Sequence, residues 1–540
     1  MRTPQAAIMN SSRKQKGYLA LILHAHLPFV RHPECDHFME EAWLFEAITE
    51  TYIPLLTVFN NLAADSVPFK ITMSMTAPLC SMLTDPLLQQ RYTAHIEKLI
   101  ELAEKECTRT KKDARFAQTA RMYLKKFRTC RTIFADTYKT NLVSAFRSLS
   151  ESGQIELITC GATHGYLPTM QHNPKAVQAQ VSLGIEAHAD FFGKKPAGMW
   201  LPECGYYPGL EEILERNGIR YFFVDTHGIL FAAPPPKYGV FAPVYCGKTS
   251  VAAFGRDAAS SKSVWSSKIG YPGDPVYRDF YRDIGYDLDI NYVRPYIDPV
   301  GIPMSTGIKY YRITGDTRYK EPYNKQEALT RAAQHAETFI HERNQQIKYL
   351  SSLMDRTPII VAPYDAELFG HWWYEGPEWL NCLIRKIASQ QDIIELTSCS
   401  RYLETYPDNQ VTSPSYSSWG EHGYSAVWID KSNDWIYRHI HAMQQRMCDA
   451  ARSKPNARDL VLRACNQMAR ELLLAESSDW AFMMKMGAMK QYAVRRIKEH
   501  IANFSRLYRD LQNESLDIHF ISLLESHNNI FPHIDYHAYL

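Results

Sequence analysis

The sequence predicts an α/β protein built on a parallel sheet that curls into a barrel. Short apolar runs of strand length alternate with helical patterns before about residue 400, which is typical of parallel strands joined by crossover helices. Polar motifs follow directly after several of these runs, as in barrels that carry their chemistry at the carboxyl ends of the strands. Beyond about residue 430 the pattern is helical only, which predicts a separate helical region.

The candidate strands are short apolar runs with helical patterns between them. The first run, at 18–23, has no polar alternation, which predicts a strand covered on both faces in a parallel sheet. The helical patterns include 210–216, about 325–353, and a last long helix with apolar residues every three or four positions. The predicted strands lie at 18–23, 69–75, 155–159, 199–201, 219–224, 358–361 and 393–396.

The length of 540 residues exceeds what one hydrophobic core usually supports, so we expect two or three domains. The long irregular stretch at 265–323 is rich in Tyr, Gly, Pro and Asp, and loops of that length are usually functional. The predicted division is a tail at 1–16, a first barrel part at 17–226 with a helical insertion at about 86–150, a small inserted domain at 227–263, a second barrel part at 264–405 and a helical domain at 406–540.

Composition narrows the class of protein. A net charge of +2 gives no electrostatic case for binding nucleic acid or an anionic membrane. The 11 cysteines are odd in number and form no CxxC pair, which indicates reduced thiols in a cytoplasmic protein. The run at 18–23 is too short for a signal peptide, and no apolar stretch approaches the length of a membrane span. We expect a monomer that is neither exported nor inserted in a membrane.

The sharpest candidates for chemistry are two carboxylates that follow apolar runs. Glu203 comes after the run at 199–201, and Asp365 comes after the run at 358–361. Glu367 competes with Asp365, although it would point elsewhere if the local chain is extended. Two carboxylates at one barrel mouth suit glycosidic bond chemistry, in which one attacks the anomeric carbon and the other protonates the departing oxygen. A plain carboxylate in a proline-punctuated turn is the alternative.

Three histidines also follow strand ends. His24 and His26 come directly after the first strand, so both imidazoles would project toward one face, and His164 follows the third strand run. Imidazoles in such positions either hydrogen-bond the hydroxyls of a sugar, bind a divalent metal, or simply end a strand. We expect sugar contact for His24 and His26.

Several aromatic residues lie in glycine-rich irregular stretches. Trp419 and Trp428 flank such a stretch before the helical region, and Trp265 lies in a similar one. Aromatic faces stack on the apolar faces of pyranose rings, whereas buried tryptophans are more often part of a core. Asp479 and Trp480 separate two helical patterns, and their local sequence favours an ordinary turn with a helix N-cap.

Taken together, these stretches resemble glycoside hydrolase family 57, a family described by five separated motifs. Stretches similar to all five occur in order over most of the chain. They are HAHLP at 24–28, GATHG at 161–165, WLPECGY at 200–206, APYDAELFGHWW at 362–373 and ESSDW at 476–480. Within the family the chain is most similar to the 1,4-α-glucan branching enzymes, which is the subgroup with aromatic stretches like those around Trp265 and Trp419.

The resemblance implies a fold and a reaction. The fold would be a distorted (β/α)7 barrel with a small inserted domain and a C-terminal all-helical domain that closes the cleft. The reaction would be retaining transfer of an α-1,4-glucan segment to a 6-hydroxyl of an acceptor glucan, without cofactor or metal. Glu203 would be the nucleophile and Asp365 the general acid/base, and retention requires their carboxyls to lie about 5–5.5 Å apart.

The resemblance also implies a gate over the cleft and a set of contacts with the substrate. Tyr238, at the tip of the proline-rich piece that begins at Pro234, would gate the cleft against water. The side chains expected to bind the glucan donor and acceptor are His24, His26, His164, Trp265, Trp419, Trp428, Asp479 and Trp480.

Three other hypotheses about the function remain open. A family-57 α-amylase or 4-α-glucanotransferase would share both carboxylates, because only the acceptor differs. A zinc-dependent deacetylase or a mannosidase-like barrel would use His24 and His26 as metal ligands, but the sequence offers no Asp at the spacing such a site needs. A glucan-binding protein without turnover would keep the cleft alone.

Overall fold

The strands are described in a computed structural model that covers residues 16–266, 269–297 and 301–540; residues 1–15 of the predicted tail lie outside the described residues. Ten strands occur in this part of the chain. They are β1 (Gly17–Ala25), β2 (Ile71–Met75), β3 (Ile155–Cys160), β4 (Gly198–Trp200), β5 (Tyr221–Val224), β6 (Val244–Cys246), β7 (Ala252–Gly255), β8 (Ile359–Asp365), β9 (Ile394–Leu396) and β10 (Val411–Thr412).

Seven of these strands form a continuous parallel run in the order β8-β1-β2-β3-β4-β5-β7. The backbone N–H of Asp257, just after β7, donates to the carbonyl of Val361 in β8 at 2.9 Å. This bond brings the last strand of the run back to the first. β9 pairs with the start of β1, while β6 and β10 extend the sheet outside the run. The predicted distorted (β/α)7 barrel is confirmed.

The strand β1 lies in the middle of the sheet, as its unbroken apolar sequence predicts. Leu19 to Leu23 are fully buried, because β1 is paired on both sides and covered on both faces. Its register places His24 beside Ser74 of β2 and Asp365 of β8. The carboxyl ends of three neighbouring strands therefore bring polar residues to one edge of the barrel.

Helices follow the strands as crossovers. Lys325–Leu353 and Leu210–Arg216 have the bounds that their apolar spacing predicts. The other barrel-side helices are Ala42–Ala47, Ile53–Ala64, Ala77–Thr84, Pro86–Arg109, Ala117–Arg131, Leu142–Glu151, Pro174–Phe192, Thr226–Leu230, Ala258–Trp265, Ile284–Asp287, Ile290–Val293, Gly376–Ser389 and Cys399–Thr405. None of the helices in the described ranges is long and apolar enough to cross a membrane.

The segment predicted as an inserted domain, 227–263, contributes to the sheet. It contains β6 and also β7, which belongs to the parallel run. The proposed domain boundaries stay predictions.

Five helices follow the barrel, and they pack on its carboxyl edge. Gly165, after β3, forms a backbone bridge with Ser477, and the N–H of Ser478 donates to the carbonyl of His164 at 3.0 Å. These contacts fix the turn before the third of these helices against the barrel. The five helices are Tyr437–Ser453, Asp459–Ala475, Ser478–Met486, Lys490–Gln512 and Ile518–His527.

Candidate active site

A cleft of about 1320 Å³ lies between the carboxyl edge of the barrel and the helical region. Its volume exceeds the roughly 300–1,000 Å³ usual for a small-molecule site, so it can hold part of a polymer. Glu203, Asp365, His26, His164 and Asp479 all line it. The structure therefore brings both predicted carboxylates and these three of the predicted sugar contacts to one cavity.

Glu203 occupies a sharp turn after β4. Its backbone φ is 60°, in the left-handed region that disfavours side chains, and Cys204 follows with a φ of 51°. Such strained positions cluster at functional sites, where the surroundings hold them in place. The Trp419 indole N–H donates to Glu203 Oε2 at 2.8 Å, and the Ser478 hydroxyl donates to Oε1 at 3.0 Å. Both carboxylate oxygens are thus fixed.

A chain of hydrogen bonds runs from β2 to Glu203. Because Ser478 gives its proton to the Glu203 carboxylate, its oxygen accepts from His164 Nδ1 at 2.8 Å. His164 Nε2 is then an acceptor for the Nε2–H of His24, 3.0 Å away, and His24 Nδ1 accepts from Ser74 at 3.2 Å. Burial and the neighbouring imidazoles hold the pKa of His24 and His164 well below the ordinary value, which suits two neutral rings.

His26 differs from these two histidines in charge. Its Nε2 lies 3.0 Å from Asp479 Oδ2, and its Nδ1 lies 3.0 Å from the Thr76 hydroxyl. Burial disfavours the charged imidazolium, but Asp479 outweighs burial and raises the pKa of His26. Burial also opposes ionisation of Asp479, yet His26 lowers the pKa of Asp479 to about 2. The pair is therefore an ion pair on the wall of the cleft.

Asp365 and Glu367 both face the cleft, which corrects the expectation that Glu367 would point elsewhere. The chain turns into a short helical turn at Ala366–Leu368, so alternation along an extended chain does not apply. Glu367 Oε1 accepts from the Tyr52 hydroxyl and from the His26 backbone N–H. Burial raises the pKa of Glu367 to about 7.

The two carboxyls with predicted catalytic roles differ in their tendency to hold a proton. Burial, and then the charges of Glu367 and Glu203, raise the pKa of Asp365 well above its ordinary value, with Arg256 opposing them. Burial also raises the pKa of Glu203, but the hydrogen bonds from Trp419 and Ser478 pull it back. The arrangement favours a protonated Asp365 beside a more easily ionised Glu203.

The predicted tryptophans take three different positions. Trp265 is half exposed and lines the cleft, although residues 267–268 of its stretch lie outside the described residues. Trp419 also lines the cleft, where its indole binds Glu203. Trp428 reaches the cleft wall but is almost fully buried, with its ring stacked on Tyr166 at 4.4 Å between centroids. Trp265 is the tryptophan of these three that offers an open face.

Trp480 does not agree with its predicted substrate contact. Its side chain is 0% exposed, and its indole N–H donates to the Leu474 carbonyl at 2.7 Å. The ring packs against Tyr492 in the helical region, on a different face of the helix from Asp479. A buried indole with a backbone partner stabilises the helical region and cannot stack on a sugar.

Tyr238 does not lie where a gate over the cleft would need it. It is absent from the cleft lining within the described residues, and its hydroxyl donates to Asp355. Asp355 precedes β8, at the end of that strand opposite to Asp365. Lys237 binds the same carboxylate at 2.6 Å. The gating role predicted for Tyr238 is therefore not supported by this arrangement.

Among the described residues, two groups of side chains have the composition of a metal site. One is His26, His164 and Asp479; the other is His24, Cys160 and His164, and within each group the ligand atoms lie within 4.8 Å of one another. The histidine nitrogens in these groups are already hydrogen-bonded, and burial raises the pKa of Cys160 well above its ordinary value. A metal would have to break this network to bind.

Sequence reasoning did not predict Glu367 and Trp372 as cleft residues, or Ser478 as a hydrogen-bond partner of Glu203. The sequence around Ser478 suggests a helix cap, but the Ser478 hydroxyl donates a hydrogen bond to Glu203. Ser477 is the N-cap residue, and its side chain makes no cap hydrogen bond. Trp372 lies in the fourth motif and lines the cleft. The adjacent tryptophans that end this motif were the sequence signal for an aromatic residue at the cleft.

The α/β barrel and its cleft, together with the family matches, define the class of this protein as an enzyme that acts on glucans. The chain belongs to glycoside hydrolase family 57. The model of that family, described as glycosyl hydrolase family 57, matches residues 20–415, and a second model, described as 1,4-alpha-glucan branching enzyme, C-terminal, matches residues 439–539.

Several relatives match nearly the whole chain. The 1,4-alpha-glucan branching enzyme TK1436 of Thermococcus kodakarensis is 33% identical over 96% of this chain and 77% of its own length. The solved structure of the alpha-amylase AmyC from Thermotoga maritima is 44% identical with a TM-score of 0.91, covering 97% of this chain and 99% of AmyC. A family-57 branching enzyme structure from Pyrococcus horikoshii is 32% identical with a TM-score of 0.87, covering 97% of each chain.

Proposed function

We propose that this protein is a 1,4-α-glucan branching enzyme. It cleaves an α-1,4 bond of a donor glucan and transfers the released segment to a 6-hydroxyl of an acceptor glucan. The observation that carries the proposal is the match of residues 439–539 to the C-terminal model of branching enzymes, on a chain that also resembles TK1436 over most of its length.

In the first step Glu203 attacks the anomeric carbon of the donor and forms a glycosyl ester. Asp365 gives its proton to the departing 4-oxygen, so the leaving chain departs as a neutral alcohol. The raised pKa of Asp365 supports this role, because a general acid must hold its proton at the working pH. The hydrogen bonds from Trp419 and Ser478 support the role of Glu203, because they favour its ionised form.

In the second step Asp365, now ionised, takes the proton of an acceptor 6-hydroxyl. The acceptor oxygen attacks the anomeric carbon, the ester bond to Glu203 breaks, and the configuration of the transferred sugar is retained. The His26–Asp479 pair would hold hydroxyls of the reacting glucose through the carboxylate oxygens of Asp479. His24 and His164 were also expected to hold hydroxyls, but their ring nitrogens are all hydrogen-bonded, so these two rings would instead keep this wall of the cleft in place. Their fixed hydrogen bonds favour one orientation of that sugar before reaction.

Proton NMR of amylose, measured together with a reducing-end assay, tests the proposal. A branching enzyme gives new α-1,6 anomeric signal with few new reducing ends, because each cleaved end is transferred. A hydrolase gives many new reducing ends without that signal, and a binding protein changes neither. The second or third result would remove the proposal.

An α-amylase is the second candidate, and one observation favours it. AmyC of Thermotoga maritima, described as an alpha-amylase, shares 44% identity with this chain. The two carboxylates serve either outcome, because water and a 6-hydroxyl compete for the same glycosyl ester. The ratio of α-1,6 linkages to reducing ends separates the candidates.

The setting of the reaction also belongs to the proposal. We infer a role in the biosynthesis of a glycogen-type glucan, in the cytoplasm, by a monomer that binds neither nucleic acid nor membrane. All 11 cysteines lie in the described part of the chain and are free thiols, which supports a reducing compartment.

A further inference from the structure

We propose that Phe280 and Trp372 form an aromatic platform for glucan on the leaving-group side of the cleft. The platform binds first the departing part of the donor and then the acceptor chain. This inference rests on the proposed branching function and names the residues that select a glucan, rather than water, as acceptor.

The two rings form a stacked pair at the cleft. Their centroids lie 4.3 Å apart with an angle of 21° between the planes, and both residues line the cavity. Lys309 Nζ lies 4.6 Å from the centroid of Phe280, and its ammonium group donates to the Phe280 carbonyl. Trp372 is 53% exposed although Phe280 covers one of its faces. The open face of the indole is therefore available to a pyranose ring.

A buried ion network holds the two segments that carry these rings. Glu50 accepts a hydrogen bond from Arg278 Nη1 at 2.9 Å and from His371 Nδ1 at 3.0 Å. Arg278 precedes Phe280 by two residues, and His371 precedes Trp372 directly. Glu50 lies in a π-helical turn, Ile48–Tyr52, a distortion frequent at functional sites.

The backbone beside Trp372 is fitted closely to this network. Gly370 has a φ of 106°, and a Cβ at this position would lie 1.8 Å from the carbonyl oxygen of Glu50. Only glycine allows this approach, which sets the direction of the chain that leads into Trp372. The platform is thus ordered before substrate arrives, and an ordered platform costs less entropy when it binds.

The position of Trp372 along the chain indicates which part of the glucan it meets. Trp372 follows Asp365 after the same strand, β8, whereas the groups that donate to Glu203, Trp419 and Ser478, come from the part of the chain after residue 415. The general acid lies beside the departing oxygen, so the segment that continues from Asp365 borders the leaving chain. The acceptor chain enters the same space when that chain has left.

The platform has a specific consequence for the second step. A glucan acceptor needs a surface that holds it beside the glycosyl ester, whereas water needs none. Truncation of an aromatic anchor at the centre of a binding site typically weakens binding by roughly 5- to 30-fold. Loss of the Trp372 ring should therefore lower transfer to glucan and leave hydrolysis of the same intermediate largely intact.

The experiment compares the full-length protein with Trp372→Ala and Trp372→Phe, using amylose as substrate. We measure new α-1,6 linkages by proton NMR and new reducing ends in the same samples. We expect the ratio of linkages to reducing ends to fall by roughly 5- to 30-fold in Trp372→Ala and to recover largely in Trp372→Phe. Tyr349→Ala removes an exposed aromatic ring outside the cleft and is the matched control, with an expected ratio equal to that of the unaltered protein.

An unchanged ratio in Trp372→Ala would overturn the platform. A second measurement separates this inference from the proposed function. Calorimetry of maltoheptaose binding to Glu203→Gln, with and without Trp372→Ala, measures the contribution of the platform to binding in the absence of turnover. We expect the added Trp372→Ala change to lower the affinity by the same roughly 5- to 30-fold. If the unaltered protein forms no α-1,6 linkages, branching fails as the function; equal affinities of the two variants would overturn the platform independently.

Discussion

The hydrogen bond from Trp419 to Glu203 makes a direct prediction about the pH dependence of activity. Trp419→Phe keeps an aromatic ring at this position but removes the indole N–H that donates to Glu203 Oε2 at 2.8 Å. In the proposed mechanism Glu203 must be ionised to attack the anomeric carbon. Burial raises the pKa of Glu203, and this hydrogen bond lowers it, so its removal should raise the pKa further.

The size of the shift follows from the strength of the bond. A hydrogen bond to a charged group contributes about 1.5–3 kcal/mol. Since one pKa unit corresponds to about 1.36 kcal/mol, the pKa of Glu203 should rise by about one to two units. The acid limb of kcat/KM reports the base or nucleophile of the free enzyme, so the limb should move to higher pH by that amount.

The assay is kcat/KM for cleavage of maltoheptaose across the pH range in which the unaltered protein is stable. Trp435→Phe is the matched control, because Trp435 lies outside the cleft lining of the described residues and should leave the profile unchanged. An acid limb of Trp419→Phe that coincides with that of the unaltered protein would refute the reasoning. A uniform loss of rate without a shift would mean that Trp419 acts by packing alone.

Two further predictions concern residues for which the structure corrects the expectation from the sequence. Glu367→Gln should move the basic limb of kcat/KM to lower pH, because the charge of Glu367 raises the pKa of Asp365, the general acid of the proposed mechanism. An unmoved limb would contradict this coupling. Trp480→Phe should lower the free energy of unfolding by about 1–3 kcal/mol, because the Leu474 carbonyl loses its buried donor. Urea unfolding measures this loss of stability. Weaker glucan binding at unchanged stability would contradict the structural role and support the substrate contact first predicted for Trp480.

Six of the seven strands in the parallel run were predictable because their sequences are almost continuously apolar, whereas β7 lies in the segment predicted as an inserted domain. The apolar run at 18–23 predicts a strand covered on both faces, and β1 spans Gly17–Ala25 with that run fully buried. The polar His24 continues β1 because it pairs in register with β2 and β8, a contact between distant segments that no local pattern contains. Helices such as Lys325–Leu353 were predictable to their ends because capping and periodicity are local.

Side-chain directions were less predictable. Asp479 and Trp480 are neighbours in one motif, yet successive residues on a helix point about 100° apart, so one faces the cleft and the other the helical core. Glu367 faces the cleft because the chain turns after β8, which an extended pattern does not foresee. The Tyr238 hydroxyl binds Asp355, which lies far away in the sequence. Each difference depends on a turn or a long-range contact rather than on composition.

The roles of Glu203 and Asp365 are the central claim, and trapping the glycosyl ester tests them most directly. In Asp365→Ala, α-maltotriosyl fluoride can still glycosylate the enzyme, because fluoride leaves without a proton, while the second step lacks its base. Mass spectrometry of the digested protein should then find one maltotriosyl group on the peptide that contains Glu203. A label on another carboxylate, or no label while fluoride is released and the product has inverted configuration, would contradict the account.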